Sequence, residues 1–382
     1  MYSKKWIRTW FIIIIIIIIP IVGGFNYIID PYGLYNTNII NKPKIKQSDK
    51  MRLIKAIKTQ EIKPVSICLG TSRTEGGYDP THKYFLQPAY NLAVSGSSMY
   101  EARIYFENAL KQGRLKKVLL VSDYIMFSME KKKQVNEFET YFKENSKKYL
   151  FSLDTFIDSL NTLVGTNKSE ILYYENGQRL HNYKEKYLYE IGGHSEAFKI
   201  NETYSYEKNT NNYTYKDTGE NAFIDFEFIV NSCYQNNIKL DIIFGPSHIR
   251  QWEAFNYKKS FDKWQQWKKD VVISVNKIAS RYNKKQFRIM DFAVYHPLTA
   301  EEVPTDKNVK MKYYWESNHY KNELGSIVLD KLIGDSQYKY FGAELNFSNI
   351  DEHLESQKVK RHQYIDTKAY QIEVWGKEKK SK

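Results

Sequence analysis

Short apolar runs alternate with helical stretches along most of the chain. Five apolar runs bounded by turn residues predict buried strands at residues 65–69, 89–94, 118–121, 240–244 and 288–292. Apolar residues at helical spacing predict helices at residues 99–110, 222–233, 260–282 and 324–332. Strands that alternate with helices in this way are typical of an α/β domain with a mainly parallel sheet.

Two polar regions interrupt or end this pattern. Residues 130–221 are rich in tyrosine and contain one amphipathic helical segment, residues 150–163. We interpret residues 130–221 as a large polar insertion, or cap, within an α/β domain of residues 27–335. Residues 336–382 are charged and have only patchy apolar periodicity, so we expect a tail that drapes over the domain or is partly disordered.

The chain begins with a strongly apolar segment. Residues 6–25 contain an unbroken isoleucine run, residues 12–19, and about 20 apolar residues suffice to cross a bilayer. Basic residues precede the run and none follows it before Lys42, so the positive-inside rule predicts a cytoplasmic N-terminus and an extracytoplasmic remainder. A cleaved signal peptide is the alternative. The length of the run and a poor cleavage site at Gly23 favour a retained single-pass anchor, residues 1–26.

The composition and motifs of the chain limit the classes of partner and cofactor that we predict. The 382 residues carry a formal net charge of +13, which suits association with anionic lipid or anionic polymers. The sequence has no zinc-finger spacing, RNP-like motif or basic DNA-reading helix, so no nucleic-acid partner is predicted. Two cysteines give neither a disulfide framework nor a metal cluster. Without HExxH, Walker or GxGxxG patterns, no metal or other cofactor is predicted.

A candidate nucleophile and a candidate base lie far apart in sequence. Ser72 directly follows the first predicted strand, and open α/β sheets place their sites at the carboxyl ends of strands. His319 lies just before the last predicted helix, with Glu316 three residues earlier. A serine nucleophile needs a base and a group that orients the base, and two side chains at this spacing on a turn can face one pocket. A helix-capping or surface histidine is the alternative for His319.

These two blocks resemble the first and last blocks of the SGNH (GDSL-like) hydrolase superfamily. The resemblance is closest to its membrane-anchored branch in bacterial cell-surface polysaccharide and teichoic-acid modification, where a G-[ST]-S-R motif and an N-terminal anchor occur together. Residues 70–73, Gly-Thr-Ser-Arg, match the first block. Glu316 and His319 match the D-x-x-H block, with Glu in place of Asp. The resemblance extends from about residue 30 to about residue 334.

This resemblance implies both a fold and roles for particular residues. The fold would be a three-layer, SGNH or flavodoxin-like sandwich around the parallel sheet. Ser72 would be the nucleophile, His319 the base and Glu316 its orienter. Gly96 matches the glycine of the second block, so its N–H and that of Ser72 would stabilise the oxyanion.

Three positions leave alternatives open. The third block of the family offers an asparagine donor, but this chain has Asp123 in that region, which would weaken the oxyanion hole unless the carboxylate points away. Arg73 either neutralises an anionic group of the substrate or pairs with the nearby acids Glu75 or Asp79. His248, after the strand at residues 240–244, is either a second, substrate-binding histidine of the pocket or a hydrogen-bonding loop residue.

Two functions follow from these expectations. The first is a serine esterase or O-acyltransferase, anchored in the bacterial cell membrane and facing outward, that acts on an ester of a surface polysaccharide; the ester is most simply an acetyl ester. The second is a catalytically weak protein of the same fold that binds a glycan or a membrane partner in an envelope-assembly complex. Ser72 and His319 favour the enzyme. Glu316 and the missing asparagine favour the binding protein.

Overall fold

The computed structural model describes residues 2–40, 44, 46–128, 130–165, 172–180, 183–204 and 213–376. The α-helices are, in chain order, α1 (Tyr2–Ile13), α2 (Ile19–Ile29), α3 (Met51–Ile62), α4 (Ser72–Gly77), α5 (Met99–Lys111), α6 (Lys147–Leu150), α7 (Leu153–Val164), α8 (Tyr183–Ile191), α9 (His194–Tyr204), α10 (Ala222–Gln235), α11 (Ile249–Tyr257), α12 (Phe261–Arg281), α13 (Asn322–Ile333), α14 (Ile350–Tyr364) and α15 (Thr367–Trp375). Helical turns of other types are Ile14–Ile18, Tyr124–Phe127 and Phe138–Lys143. The strands are β1 (Ser66–Leu69), β2 (Ala89–Asn91), β3 (Lys117–Val121), β4 (Lys239–Phe244), β5 (Arg288–Asp291) and β6 (Ala343–Leu345).

The chain divides into two compact units. The N-terminal unit comprises Met1–Ile62 and Glu137–Glu175, and the α/β unit comprises Lys63–Asn136 and Asn176–Lys382. The region expected to be one insertion, residues 130–221, is therefore shared between the two units. Its amphipathic segment belongs with the N-terminal helices and not with the sheet.

The strands of the α/β unit form one sheet, in the order β2-β1-β3-β4-β5-β6. Neighbouring strands from β2 to β5 are parallel, with Ile67 opposite Val118 for example, and β6 is antiparallel to β5. The predicted α/β class with a mainly parallel sheet is confirmed. The chain leaves β1 to form β2 on one side and then β3 on the other, and open α/β sheets bind ligands at the carboxyl ends of strands where the order reverses in this way.

Burial of apolar side chains explains why these elements form. Residues 118–121 of β3 are fully buried, as expected of a central parallel strand that is covered on both faces. Helix α12 buries Val271, Val275 and Ile278 at helical spacing, while Asp262 and Lys277 at other positions are exposed. The sequence patterns therefore located these elements to within a few residues of their ends.

The C-terminal region is more ordered than expected. It supplies the edge strand β6 and the helices α14 and α15. Arg361 of α14 donates two hydrogen bonds to Glu253 of α11, at 2.6 and 2.7 Å, and the side chain of Gln357 accepts from the N–H of Tyr295 at 2.9 Å. These polar contacts hold α14 together with two buried apolar residues, Ile350 and Leu354, which explains its weak periodicity. Residues 377–382 of the expected tail lie outside the described residues.

The N-terminal unit contains the apolar segment. Within the described residues, Lys4–Ile29 forms a helix that is long and apolar enough to cross a membrane, and a signal sequence has the same properties. Helix α2 is capped by the next residue, Asp30, which has a left-handed backbone (φ 47°). The N–H of Asp30 donates to the carbonyl of Asn26 at 2.9 Å. Helix α7 packs on α2 within this unit.

Candidate active site

Ser72 lies at the carboxyl end of β1, where the strand order reverses. It is the first residue of α4 and follows Thr71, whose backbone is extended. Gly70 makes this turn possible, because a Cβ at this position would lie 2.1 Å from Oγ1 of Thr74 and 3.1 Å from the carbonyl oxygen of Val121. Ser72 itself is partly exposed.

Close packing fixes the short helix that carries Ser72. The amide of Asn91 in β2 donates to the carbonyls of Thr74 and Tyr78, at 3.1 and 3.0 Å, at the end of α4. A Cβ at Gly325 of α13 would lie 1.7 Å from the carbonyl oxygen of Gly77. The backbones of α4 and α13 therefore meet without an intervening side chain, and this contact sets the position of Ser72 relative to the chain that precedes α13.

That preceding chain forms a hairpin that presents the predicted acid and base. The N–H of Lys321 donates to the carbonyl of Tyr313 at 2.7 Å, and the N–H of Trp315 donates to the carbonyl of His319 at 2.9 Å. The buried ring of Tyr320 packs against Gly77 of α4. The hairpin is thus held against the same helix whose first residue is Ser72.

The structure brings Ser72, His319 and Glu316 together. The Oγ of Ser72 lies 2.7 Å from Nε2 of His319. On the other side of the ring, Nδ1 of His319 is hydrogen-bonded to Oε1 of Glu316. The second carboxylate oxygen of Glu316 accepts from the N–H of Asn318 at 2.6 Å. With Nδ1–H donated to the carboxylate, Nε2 keeps the lone pair that can accept the hydroxyl proton of Ser72.

The charges around His319 favour its neutral form. Burial lowers the pKa of His319, the positive charge of Lys184 lowers it further, and Glu316 opposes both effects. Burial alone would raise the pKa of Glu316, but His319, Lys184 and the N–H of Asn318 together hold that pKa well below its ordinary value. Lys184 is the second residue of α8, and its Nζ lies 3.6 Å from Oε1 of Glu316. The pair is therefore an ionised carboxylate beside a neutral imidazole at neutral pH.

Arg73 pairs with an acid other than the two that the sequence suggested. Its Nη1 donates to Oδ1 of Asp123 at 2.7 Å, and the hydroxyl of Thr71 donates to Oδ2 of the same carboxylate at 2.5 Å. Asp123 is buried directly after β3. The ends of β1 and β3 are thus joined by an ion pair, and Arg73 offsets the charge of the Asp123 carboxylate.

Asn318 is a site residue that the sequence reasoning missed. Its Oδ1 accepts from Nη2 of Arg73 and, at 2.6 Å, from Nε2 of Gln251 in α11. A guanidinium has donors only, so the atom that faces Arg73 must be the oxygen, and this fixes the orientation of the amide. Within the described part of the chain, Nδ2 of Asn318 donates to no protein acceptor, and the residue is partly exposed. Its amide protons are therefore available to a ligand.

The loop after β2 contains Gly96 and is tied to the end of β1, because the N–H of Val94 donates to the carbonyl of Gly70 at 3.2 Å. Gly96 is exposed, with φ at +67°. The hydroxyl of the preceding residue, Ser95, donates to Oε2 of Glu75 and accepts from Nη1 of Arg179, each at 2.8 Å. An oxygen of Glu75 also lies 3.7 Å from Nη1 of Arg179, and Asp79 accepts from the amide of Asn176.

His248 does not reach the candidate site. It is buried at the start of α11, where Nδ1 accepts from the N–H of Arg250 at 3.2 Å and Nε2 donates to the carbonyl of Glu301 at 2.8 Å. Burial lowers the pKa of His248 to about 3. The substrate-binding role is therefore replaced by the other expectation, a hydrogen-bonding loop residue. Its own N–H supports the hairpin by donating to the carbonyl of Ser317 at 3.1 Å.

The described residues offer little for metal or thiol chemistry. They contain no group of three or more His, Cys, Asp or Glu side chains that could hold a metal ion. Cys68 and Cys233 are buried and form no disulfide within the described residues. No family model matches the chain, and no curated protein matches it either.

Proposed function

We propose that the protein is a membrane-anchored, SGNH-like serine esterase or O-acyltransferase. The observation that carries this proposal is the continuous relay from the hydroxyl of Ser72 through the ring of His319 to the carboxylate of Glu316. Its position at the carboxyl ends of β1 and β3 agrees with where open α/β sheets keep their sites. The three-layer SGNH sandwich is part of the same proposal.

The relay supports acyl transfer in two steps. In the first, Oγ of Ser72 attacks an ester carbonyl while Nε2 of His319 takes the hydroxyl proton, and Glu316 stabilises the resulting imidazolium. His319 then returns the proton to the departing alcohol, which leaves an acyl group on Ser72. In the second step, water or a sugar hydroxyl attacks this acyl-enzyme, with His319 again acting first as base and then as acid. Water gives an esterase and a sugar hydroxyl gives a transferase.

The negative charge of the tetrahedral intermediate needs hydrogen-bond donors. Ser72 N–H, at the first turn of α4, and Gly96 N–H are the two expected from the family resemblance. We assign the third donor to Nδ2 of Asn318, because the carbonyl of this amide is held by Arg73 and Gln251 and its protons are not used by the protein. Asn318 thus takes the place of the asparagine missing after β3.

The ion pair of Arg73 and Asp123 removes the main objection to catalysis. A lone carboxylate after β3 would oppose a developing oxyanion. Here each oxygen of Asp123 accepts a hydrogen bond, one of them from a guanidinium, so its charge is offset within the protein. This arrangement favours the enzyme over the glycan-binding protein.

The substrate class comes from the family resemblance and from the apolar N-terminal helix. We propose an acyl ester, most simply acetyl, on a bacterial cell-surface polysaccharide, with the α/β unit on the extracytoplasmic side of the membrane. A net charge of +13 suits an anionic polymer or an anionic lipid surface.

A serine-directed fluorophosphonate tests the proposal. The full-length protein should be labelled in native form, and Ser72→Ala should abolish the labelling, whereas Ser348→Ala, at an exposed serine outside the site, should not. The same Ser72→Ala variant should lose hydrolysis of p-nitrophenyl acetate. Absence of labelling in the folded protein would favour the glycan- or partner-binding alternative, and labelling that survives in Ser72→Ala would reject Ser72 as the nucleophile.

A further inference from the structure

Helix α7 of the N-terminal unit has its polarity reversed. Its buried positions are small and polar: Thr155, Ser159 and Thr162. Its exposed positions are large and apolar: Leu153 at 69% exposed, Ile157 at 55%, Leu160 at 41% and Val164 at 81%. A helix on a protein surface in water buries its apolar stripe and exposes its polar one. The side of α7 that faces outward is therefore built for an apolar surrounding.

The buried side of α7 packs on the apolar helix α2. The hydroxyl of Ser159 donates to Oδ1 of Asn26 at 3.0 Å, and the amide of Asn26 donates to the carbonyls of Leu150 and Ser152, at 2.8 and 3.2 Å. The ring of Phe151 occupies the space over Gly23, where a Cβ would lie 2.6 Å from it. Small residues and side-chain hydrogen bonds at a helix contact, with large apolar residues outside, are the pattern of helices that associate in lipid.

Apolar side chains are also exposed beside α7 and on α2. Phe151 packs on Gly23 and is nevertheless 55% exposed. Nearby on α2, Ile21 and Ile28 are 63% and 41% exposed. The rings of Phe25 and Phe156 also meet, with their centroids 5.1 Å apart. Both helices thus expose large apolar side chains, and α2 belongs to the segment long enough to span a bilayer.

The length and the polar side of α7 limit how deeply it can lie in a bilayer. Twelve residues of helix span about 18 Å, which is too short for a hydrocarbon core of about 30 Å. Helix α7 contacts the last turns of α2, at the end of the apolar segment. Its remaining side carries Asp154 and Asp158, and Asp158 accepts from the hydroxyl of Tyr32 at 2.7 Å. Lys147 and Lys148, just before α7, are exposed.

We propose that α7 is an interfacial membrane helix, with its apolar side among lipid acyl chains and its acidic side toward the headgroups. The occupant of the exposed apolar surface is thus the bilayer itself, and an amphipathic helix with a strong apolar side binds there by burying apolar area. The buried Asn26 ties α7 to α2, so α2 is part of the folded unit and is retained rather than cleaved. This inference is independent of the proposed acyl transfer.

Fluorescence quenching at single introduced cysteines tests the placement. The full-length protein with Ile157→Cys, labelled with the environment-sensitive dye NBD, is inserted in phosphatidylcholine–phosphatidylglycerol vesicles. The native thiols are buried and do not compete for the label. The expected result is blue-shifted emission that nitroxide-labelled lipid quenches and that aqueous iodide barely quenches. The matched control is Asn161→Cys, on the polar side of the same helix, where iodide should quench severalfold more strongly.

Two results would overturn the proposal. Equal iodide quenching at positions 157 and 161 would show that the apolar side of α7 faces water. Shielding from iodide without quenching by the lipid nitroxide would show that a protein covers this side, either a second copy of the chain or a partner. Circular dichroism of each labelled protein verifies folding, and Val164→Cys provides the same readout should Ile157→Cys misfold.

Discussion

The two units of this chain differ in which side chains their amphipathic helices bury. In the α/β unit, α12 turns its valines inward and exposes charged residues such as Asp262 and Lys277. In the N-terminal unit, α7 turns threonine and serine inward and leucine, isoleucine and valine outward. Both helices are amphipathic, so amphipathicity alone does not identify the surroundings of a helix. Which side is buried does so, and it indicates water around α12 and lipid around α7.

The polar groups themselves also differ between the units. At the end of β1 they are charged and form a network, in which Glu316 faces His319 and Arg73 faces Asp123. Beside α2 they are neutral: the hydroxyl of Ser159 donates to the amide oxygen of Asn26, and the amide protons of Asn26 go to backbone carbonyls. Changes in the first group should therefore reduce the rate of reaction with little loss of stability. Changes in the second should reduce stability and leave the rate alone.

The largest expected effect is that of Glu316→Gln. The carboxylate accepts Nδ1–H and keeps the lone pair of His319 on Nε2, whereas an amide can donate to Nδ1 and select the other tautomer. We expect kcat for p-nitrophenyl acetate to fall by about 10³- to 10⁴-fold, as happens when the orienting acid of a serine triad becomes an amide. Glu316→Asp, which keeps the charge on a shorter side chain, should lose much less. Activity of Glu316→Gln within tenfold of the unsubstituted protein would remove Glu316 from the relay.

The next effect is that of Asn318→Asp. This change keeps an oxygen for Arg73 and Gln251 but removes the two amide protons. Loss of one oxyanion donor should lower kcat by about 10²- to 10³-fold, with a smaller change in KM.

A thionoester of the same alcohol separates this role from a structural one. Sulfur is a weak hydrogen-bond acceptor, so the thionoester gains little from the donor and should lose little when the donor is removed. The ratio of ester to thionoester rates should therefore fall in Asn318→Asp. If both rates fall equally, Asn318 only positions the hairpin, and the oxyanion role is wrong.

Ser159→Ala, in the N-terminal unit, should have a smaller effect, and this effect should be on stability and not on the rate. It removes the donor to Oδ1 of Asn26 inside the contact between α7 and α2. Thermal unfolding of the full-length protein in vesicles should show a loss of about 1 kcal/mol or slightly less. The esterase rate should stay unchanged, and Asn161→Ala, at an exposed position of α7, should change neither quantity. A loss of rate with unchanged stability would contradict the division of roles between the units.

The sequence predicts the features that depend on local pattern. The strands β1, β3, β4 and β5 were found because each is a short apolar run that is buried on both faces. Ser72 was found because it ends the first of these runs, and Glu316 with His319 because they precede α13 at a spacing suited to a turn. Each of these signals lies within a few residues.

Features that depend on distant partners were missed. Arg73 and Asp123 are 50 positions apart, and Asn318 lies 67 positions from Gln251, so no local pattern joins them. Helix α14 buries Ile350 and Leu354 but is also held through Arg361 and Gln357, so its apolar pattern is weak. Helix α7 was found as an amphipathic segment but assigned to a cap of the α/β domain, because its pattern does not tell which side is buried.

The smallest expected effect concerns Lys184, which no sequence signal connected to the site. Burial is the main cause of the lowered pKa of His319, and the charge of Lys184 adds to it. Only neutral His319 can act as base, so removing this charge in Lys184→Met should raise the pKa of His319 and move the acid limb of kcat/KM to higher pH. The rate on that limb should fall severalfold, while the rate on the alkaline plateau stays the same. Lys186→Met, at an exposed lysine of the same helix, should leave the profile in place. An unshifted limb in Lys184→Met would show that Lys184 does not tune the base, and an equal shift in both variants would mean that only the net charge matters.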